Sequence, residues 1–255
     1  MQNTILKMSL LILLALLSFK LSANSDSSAK IAVAANFIKT IEAVAKEFTK
    51  QTGNEVKFSF GPTGKLYAQI YNGAPFDAFF AADEKRPLKA IEQGLAVKNS
   101  YFIYAQGQLA FYSHHALNQN NPLLVLKANQ YRHLAIANPK TAPYGEAAAQ
   151  VLKQAGLYAS VRPKLVFGES IGNAFQFVAT GNAELGFLAY SQIKDPQSPL
   201  YQKGDYWLIP QTQYNPINQG AVLLKRGAKN PVAVAFMQFM QSPKAKQIMQ
   251  AYGYK

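Results

Sequence analysis

Four times this sequence runs a short apolar stretch into a tight polar turn and then into a helix-forming segment, and that repeated unit restricts the fold more than any other feature. The clearest copy surrounds Ala137-Asn138-Pro139-Lys140-Thr141-Ala142-Pro143-Tyr144-Gly145. Residues 133–137 form an apolar run with the character of a buried strand, and 144–155 has helical spacing closed by Gly156. Pro143 suits the first helical turn, where its missing N–H costs nothing. A second copy is strand 30–35, Asn36 as N-cap, and helix 37–50 ending near Gly53. A third is strand 55–60, the turn Gly61-Pro62-Thr63-Gly64, and helix 65–72 stopped by Gly73. The fourth is strand 164–167, the turn Gly168-Glu169-Ser170, and helix 171–180 stopped by Gly181. A helix start carries N–H groups with no intrahelical partner and the positive end of the helix dipole, so it suits an anion. Each of these helices opens beside a hydroxyl or amide: Asn36, Thr63, Thr141 with Tyr144, and Ser170. Singly, each is an ordinary N-cap. Four of them in two separated pairs favour one shared oxyanion site.

The units fall into an order that sets the architecture. In helix 37–50, Phe37, Ile38, Ile41, Val44, Ala45 and Phe48 recur at helical spacing and form a core face. After the turn Ala74-Pro75-Phe76-Asp77 comes a buried strand, 78–82, and Asp83 to Pro87 opens another helix. Strands alternating with helices predict a parallel-rich α/β sheet. The strand-like run 101–113 is longer than one sheet layer needs, so it passes from one domain to another; the apolar run 218–225 brings the chain back. Between them lie a loop and short helix at 114–129, a buried strand at 184–190 and a surface loop at 195–199, and the chain ends in helices over 231–252. Two crossings predict two α/β lobes: a discontinuous first lobe, 24–107 with 221–255, and a second, 108–220. The cleft between such lobes, at the strand ends, is where α/β proteins bind ligands.

The N-terminal residues have the character of an address. Lys7 precedes the apolar run 8–19, and small residues follow, so 1–23 is expected to be a secretory signal peptide cleaved near residues 23–25. The apolar run is too short for a convincing membrane span. With no Cys in the chain, disulfides, thiolate metal sites and a lipid-modified Cys are excluded. The formal charge is +13, but charged residues make up only 15% of the chain and the lysines are scattered without basic runs. That pattern fits a solvated surface that steers an anionic ligand, not a nucleic-acid interface.

Catalytic constellations fail on inspection. His114, His115 and His133 have no zinc-ligand spacing, and no Gly-x-Ser-x-Gly turn exists. A phosphate loop around Gly61 to Leu66 would need Gly where Ser59 stands and Ser or Thr where Leu66 stands. Asp77 and Asp83 are explained by turn and helix-start capping. The expectation is a binding protein, not an enzyme, with no cofactor and no cationic metal.

Taken in order and spacing, Ala34-Ala35-Asn36-Phe37, Gly73-Ala74-Pro75-Phe76-Asp77, Ala81-Ala82-Asp83-Glu84-Lys85, the Asn138-Pro139 to Tyr144-Gly145 turn, Ser170-Ile171-Gly172 and Glu184-Leu185-Gly186 resemble the periplasmic molybdate/tungstate-binding proteins of ABC importers. The resemblance covers essentially all of the chain after the signal. It implies the two-lobe type II periplasmic binding protein fold, with mixed sheets flanked by helices and the ligand in the interlobe cleft. It also implies a monomer in the periplasm that captures molybdate or tungstate and delivers it to the membrane permease of an ABC importer. The family holds its tetrahedral oxyanion with neutral donors. By position that role falls to Ala35 and Asn36, Thr63, Tyr144 and the Ile171 backbone N–H, with Ser170, Tyr190 and Lys65 as further candidates. Donors at fixed distances on rigid elements would then select molybdate over sulfate by size. One branch of the family uses Ser in the first two turns and a Tyr hydroxyl just after the strand at 184–188; another has its Tyr in the Ala-Pro-Tyr-Gly turn, as here. Lys65, a cation beside the second turn, would suit a different or more highly charged anion. The alternatives are a type II protein for sulfate, phosphate or an organic acid, a ferric-ion binder, and a secreted enzyme of the same fold.

Overall fold

The structure, a computed structural model, describes residues 28–255, so the expected signal peptide lies outside the described residues. In chain order the first lobe begins with β1 (Ser28–Ala34), α1 (Ile38–Thr52), β2 (Glu55–Gly61), α2 (Thr63–Tyr71), β3 (Ala78–Phe80), α3 (Lys85–Glu92) and β4 (Phe102–Gly107). The second lobe holds β5 (Leu109–Ser113), α4 (Leu124–Ala128), β6 (Leu134–Ala137), α5 (Pro143–Gln154), α6 (Tyr158–Val161), β7 (Leu165–Gly168), α7 (Ile171–Ala179), β8 (Leu185–Ala189), α8 (Tyr190–Lys194) and β9 (Asp205–Leu208). The chain then returns with β10 (Ile217–Leu223), α9 (Pro231–Phe239) and α10 (Pro243–Ala251).

Two five-stranded sheets result, in the orders β2-β1-β3-β10-β4 and β7-β6-β8-β5-β9. Both follow one plan. Strands from strand–helix units pair in parallel (β1 with β2 and β3; β6 with β7 and β8). The strand supplied by a crossing segment, β10 in one sheet and β5 in the other, runs antiparallel to both its neighbours. Burial follows position in the sheet. Central β1 buries Ala29, Ile31, Ala32 and Val33 completely, as a strand covered on both faces must, whereas edge strand β2 is mostly exposed or half-buried. Phe37, Phe48, Phe80 and Phe236 fill one face of the first sheet; Leu66, Ile70 and Phe79 fill the other. Phe111, Phe187, Leu134 and Ile136 centre the second lobe.

The structure departs from the sequence-based expectations in three places. The long strand at 101–113 is two strands, one per sheet, separated at Gln108. β10 joins the first sheet from Ile217, earlier than the expected return at 221. Edge strand β9 was not foreseen; its four residues, alternating half-buried and exposed, are too short a run to stand out.

Candidate functional site

All four turns end at one place between the lobes. A small cavity is lined by Ala34, Ala35 and Asn36 from the first turn, and by Gly61, Pro62 and Thr63 from the second. Ala142, Pro143 and Tyr144 come from the third, Ser170 and Ile171 from the fourth, and Ala82 from the end of β3. No lining side chain is charged. A wider groove, open to solvent, continues outward past Lys39, Phe175, Gln192 and Asp195. The groove is larger, but only the small cavity receives all four helix starts.

The lobes are shut on each other here. Gly64 N–H donates to the Thr141 carbonyl at 3.0 Å, and Lys65 Nζ pairs with Glu169 at 2.6 Å. The ion pair Asp83–Arg86 sits beside them, its guanidinium 3.5 Å from the Lys140 carbonyl. On the far side Ser191, from the second lobe, meets the Tyr254 hydroxyl at 3.0 Å.

Each hydroxyl at the cavity can be followed to its partner. Thr63 Oγ1 accepts from the Ala82 N–H at 3.1 Å, and its own hydrogen has no acceptor among the described residues. Tyr144 Oη accepts from Gln219 Nε2 at 3.3 Å, and its hydrogen likewise has none. Ser170 differs. It closes a capping box with Asn173, accepting from the Asn173 N–H at 3.2 Å and donating to Asn173 Oδ1 at 2.9 Å. That box satisfies the third N–H of α7 and leaves those of Ile171 and Gly172 facing outward from the helix start. Burial pushes the Tyr144 phenol well above its ordinary value, so it is a neutral donor through the physiological range.

The first turn corrects an expectation. Asn36 does not cap the helix. A short 3-10 turn, Ala35–Phe37, opens two residues earlier, with Ala34 at the N-cap position and no side-chain cap. Asn36 is instead buried, and its Nδ2 donates to Gln219 Oε1 at 2.9 Å and to the Tyr254 hydroxyl at 3.0 Å. Tyr104 reaches the same Gln219 oxygen at 2.9 Å, and Tyr254 donates to the Asn36 carbonyl at 2.8 Å. Thr63 also moves, from the turn to the first residue of α2, behind Pro62 as N-cap.

The structure therefore brings Ala35, Asn36, Thr63, Tyr144, Ser170 and Ile171 to one cavity. It does not bring Tyr190 or Lys65 there. Tyr190 opens α8 with its ring against Tyr206, and Lys65 is tied to Glu169 at the rim. Sequence reasoning missed the buried polar layer of Gln219, Tyr104 and Tyr254. The one available signal was the polar pair Asn218-Gln219 inside a strand otherwise made of apolar residues and Gly.

Residues 29–255 match the family described as bacterial extracellular solute-binding protein. This chain belongs to that family. Among relatives of the solute-binding protein, the molybdate-binding protein ModA of Azotobacter vinelandii is 48% identical, with 91% of each chain covered. ModA of Rhodobacter capsulatus is 46% identical over 88% of this chain and 86% of its own. The solved structure of the A. vinelandii periplasmic molybdate-binding protein superposes with a TM-score of 0.83 at 43% identity, covering 89% of this chain and 98% of that one. The two mixed sheets flanked by helices are the type II periplasmic binding protein fold. The sulfate-binding protein SubI of Mycobacterium tuberculosis, at 13% identity and a TM-score of 0.72, shares that fold alone.

Proposed function

We propose that this solute-binding protein captures molybdate or tungstate outside the cytoplasm and hands it, as a monomer, to the permease of an ABC importer. The observation that carries this reading is the composition of the cavity: four helix starts, two hydroxyls with unclaimed hydrogens, and no charged side chain in the lining. A tetrahedral dianion needs several aimed donors, and each helix start supplies N–H groups together with roughly half a positive charge. The lining offers no counter-cation, and the nearby cations Lys65 and Arg86 are paired with Glu169 and Asp83. The two ModA relatives support molybdate as the anion. Ala35, Asn36, Thr63, Tyr144 and Ile171 are the proposed ligand contacts.

Calorimetric titration of the chain lacking residues 1–23 with molybdate, tungstate, sulfate and phosphate tests the reading. Molybdate or tungstate is expected to bind far more tightly than the other two. Equal binding of sulfate would replace the ligand while leaving the anion site; no heat with any of the four would remove the anion site itself.

A further inference from the structure

Behind the cavity, at the two chain crossings between lobes, lies a fully buried amide. Gln219 is on β10 at the point where its register with β4 shifts. Such irregularities re-aim side chains. Its Oε1 accepts from Asn36 Nδ2 at 2.9 Å and lies 2.9 Å from the Tyr104 hydroxyl, whose single hydrogen it shares with the Ala81 carbonyl at 3.0 Å, which leaves Nε2 as the end that meets Tyr144. Among the described residues it is the one side chain hydrogen-bonded to both Asn36 of the first lobe and Tyr144 of the second. Room for this meeting is made by Gly107 at the end of β4. A Cβ there would stand 2.7 Å from Gln219 Nε2 and would overlap the Tyr144 hydroxyl.

An amide has one donor end and one acceptor end. With Nε2 turned to Tyr144, the phenol oxygen must accept, and its single hydrogen is released toward the cavity. The same arrangement uses both hydrogens of the Asn36 amide inward, and Asn36 Oδ1 is left buried without a partner. Turning both amides over would give Oδ1 a donor in Gln219 Nε2. It would also present Gln219 Oε1 to Tyr144 and draw the phenol hydrogen back from the cavity. Neither side chain can change its role alone.

We infer that Gln219 is a positioning residue for the anion site: its one amide couples Asn36 and Tyr144 across the lobes and decides which of them donates into the cavity. For molybdate this rests on the function proposed above; the coupling itself does not. Gln219→Glu, of the same shape, offers an acceptor at both ends and so draws the Tyr144 hydrogen away, whereas Gln219→Met offers neither donor nor acceptor.

Molybdate affinity of Gln219→Glu is expected to fall more than ten-fold, and that of Gln219→Met clearly less. In a Tyr144→Phe background the penalty of Gln219→Glu should shrink to a minor one, because no phenol hydrogen remains to be captured. An equal penalty in both backgrounds would mean bare charge repulsion and overturn the proposal, as would Gln219→Met proving as damaging as Gln219→Glu at unchanged melting temperature. Nuclear magnetic resonance of the ligand-free protein gives a readout independent of any anion. Tyr144→Phe should shift the side-chain amide resonances of both Gln219 and Asn36. Unmoved Asn36 resonances would overturn the coupling whatever the ligand proves to be, while shifted resonances in a protein that ignores molybdate would reject the ligand and keep the coupling.

Discussion

Three hydroxyls line the cavity, and where their hydrogens go separates them. Thr63 and Tyr144 each accept one bond from the protein and keep a hydrogen for the cavity; Ser170 gives its hydrogen to Asn173. A hydrogen bond to a charged group contributes roughly 1.5–3 kcal/mol. Tyr144→Phe, which keeps the ring in its buried seat, is therefore expected to weaken molybdate binding about ten-fold to a hundred-fold. Ser170→Ala should instead cost about 1 kcal/mol of stability through the lost cap and leave affinity nearly unchanged, as should Tyr190→Phe. Titration of the three variants, with thermal melts beside it, checks this; a Ser170→Ala protein crippled in binding but normal in melting would reverse the assignment. In sequence the hydroxyl-bearing turns look alike. What distinguishes Thr63 and Tyr144 is a partner 19 and 75 residues away, Ala82 and Gln219, which no local pattern displays.

The strand–turn–helix units were legible because each carries its own signals: an apolar run, a turn, helical spacing and a glycine stop. Gly53, Gly73, Gly156 and Gly181, the four stops, all have positive φ, so the signal and its physical cause coincide. What was not legible depends on partners elsewhere in the chain. β9 exists because β5 offers it an antiparallel edge, and Asn36 forgoes the cap because Gln219 and Tyr254 claim its amide. Lys65 illustrates the same limit between lobes. Its distance from Glu169 is short, but the two side chains are 51% and 68% exposed, and exposed pairs contribute only about 0–1 kcal/mol. Less exposed contacts also join the lobes: the α2 start with the loop before α5 through Gly64 and Thr141, Ser191 with Tyr254, and Gln219 with Tyr144. Lys65→Ala is therefore expected to lower molybdate affinity by less than about five-fold, an effect that fades as salt is raised. A loss of a hundred-fold, insensitive to salt, would place Lys65 on the anion.

At the scale of the whole molecule, the two lobes and both crossings meet in a neutral layer built around Tyr104, Tyr144 and Tyr254. Burial raises Tyr104 and Tyr144 well above the ordinary phenol value of 10.0, each helped by the neighbouring phenols. Burial also pushes Tyr254 up to about 12, against hydrogen bonds from Ser191, Asn36 and Thr40. The consequence for stability has a definite sign. Below pH 10 these phenols are protonated in folded and unfolded chains alike, so their contribution is complete and flat. Above it the unfolded chain loses protons that the folded chain keeps, and stability falls as pH rises through the folded values. The melting temperature should thus be insensitive to these groups from neutral pH to about 10 and drop steeply beyond it. Phenolate absorbance should rise in two steps, exposed tyrosines first and the buried layer only as circular dichroism is lost. Molybdate affinity should keep its neutral-pH value as far as Tyr144 governs it, because the donor stays protonated until the lobes themselves come apart. Buried phenols that titrate together with the exposed ones, in a protein still folded by circular dichroism, would mean that this layer is open to water and that Tyr144 is not held as a neutral donor.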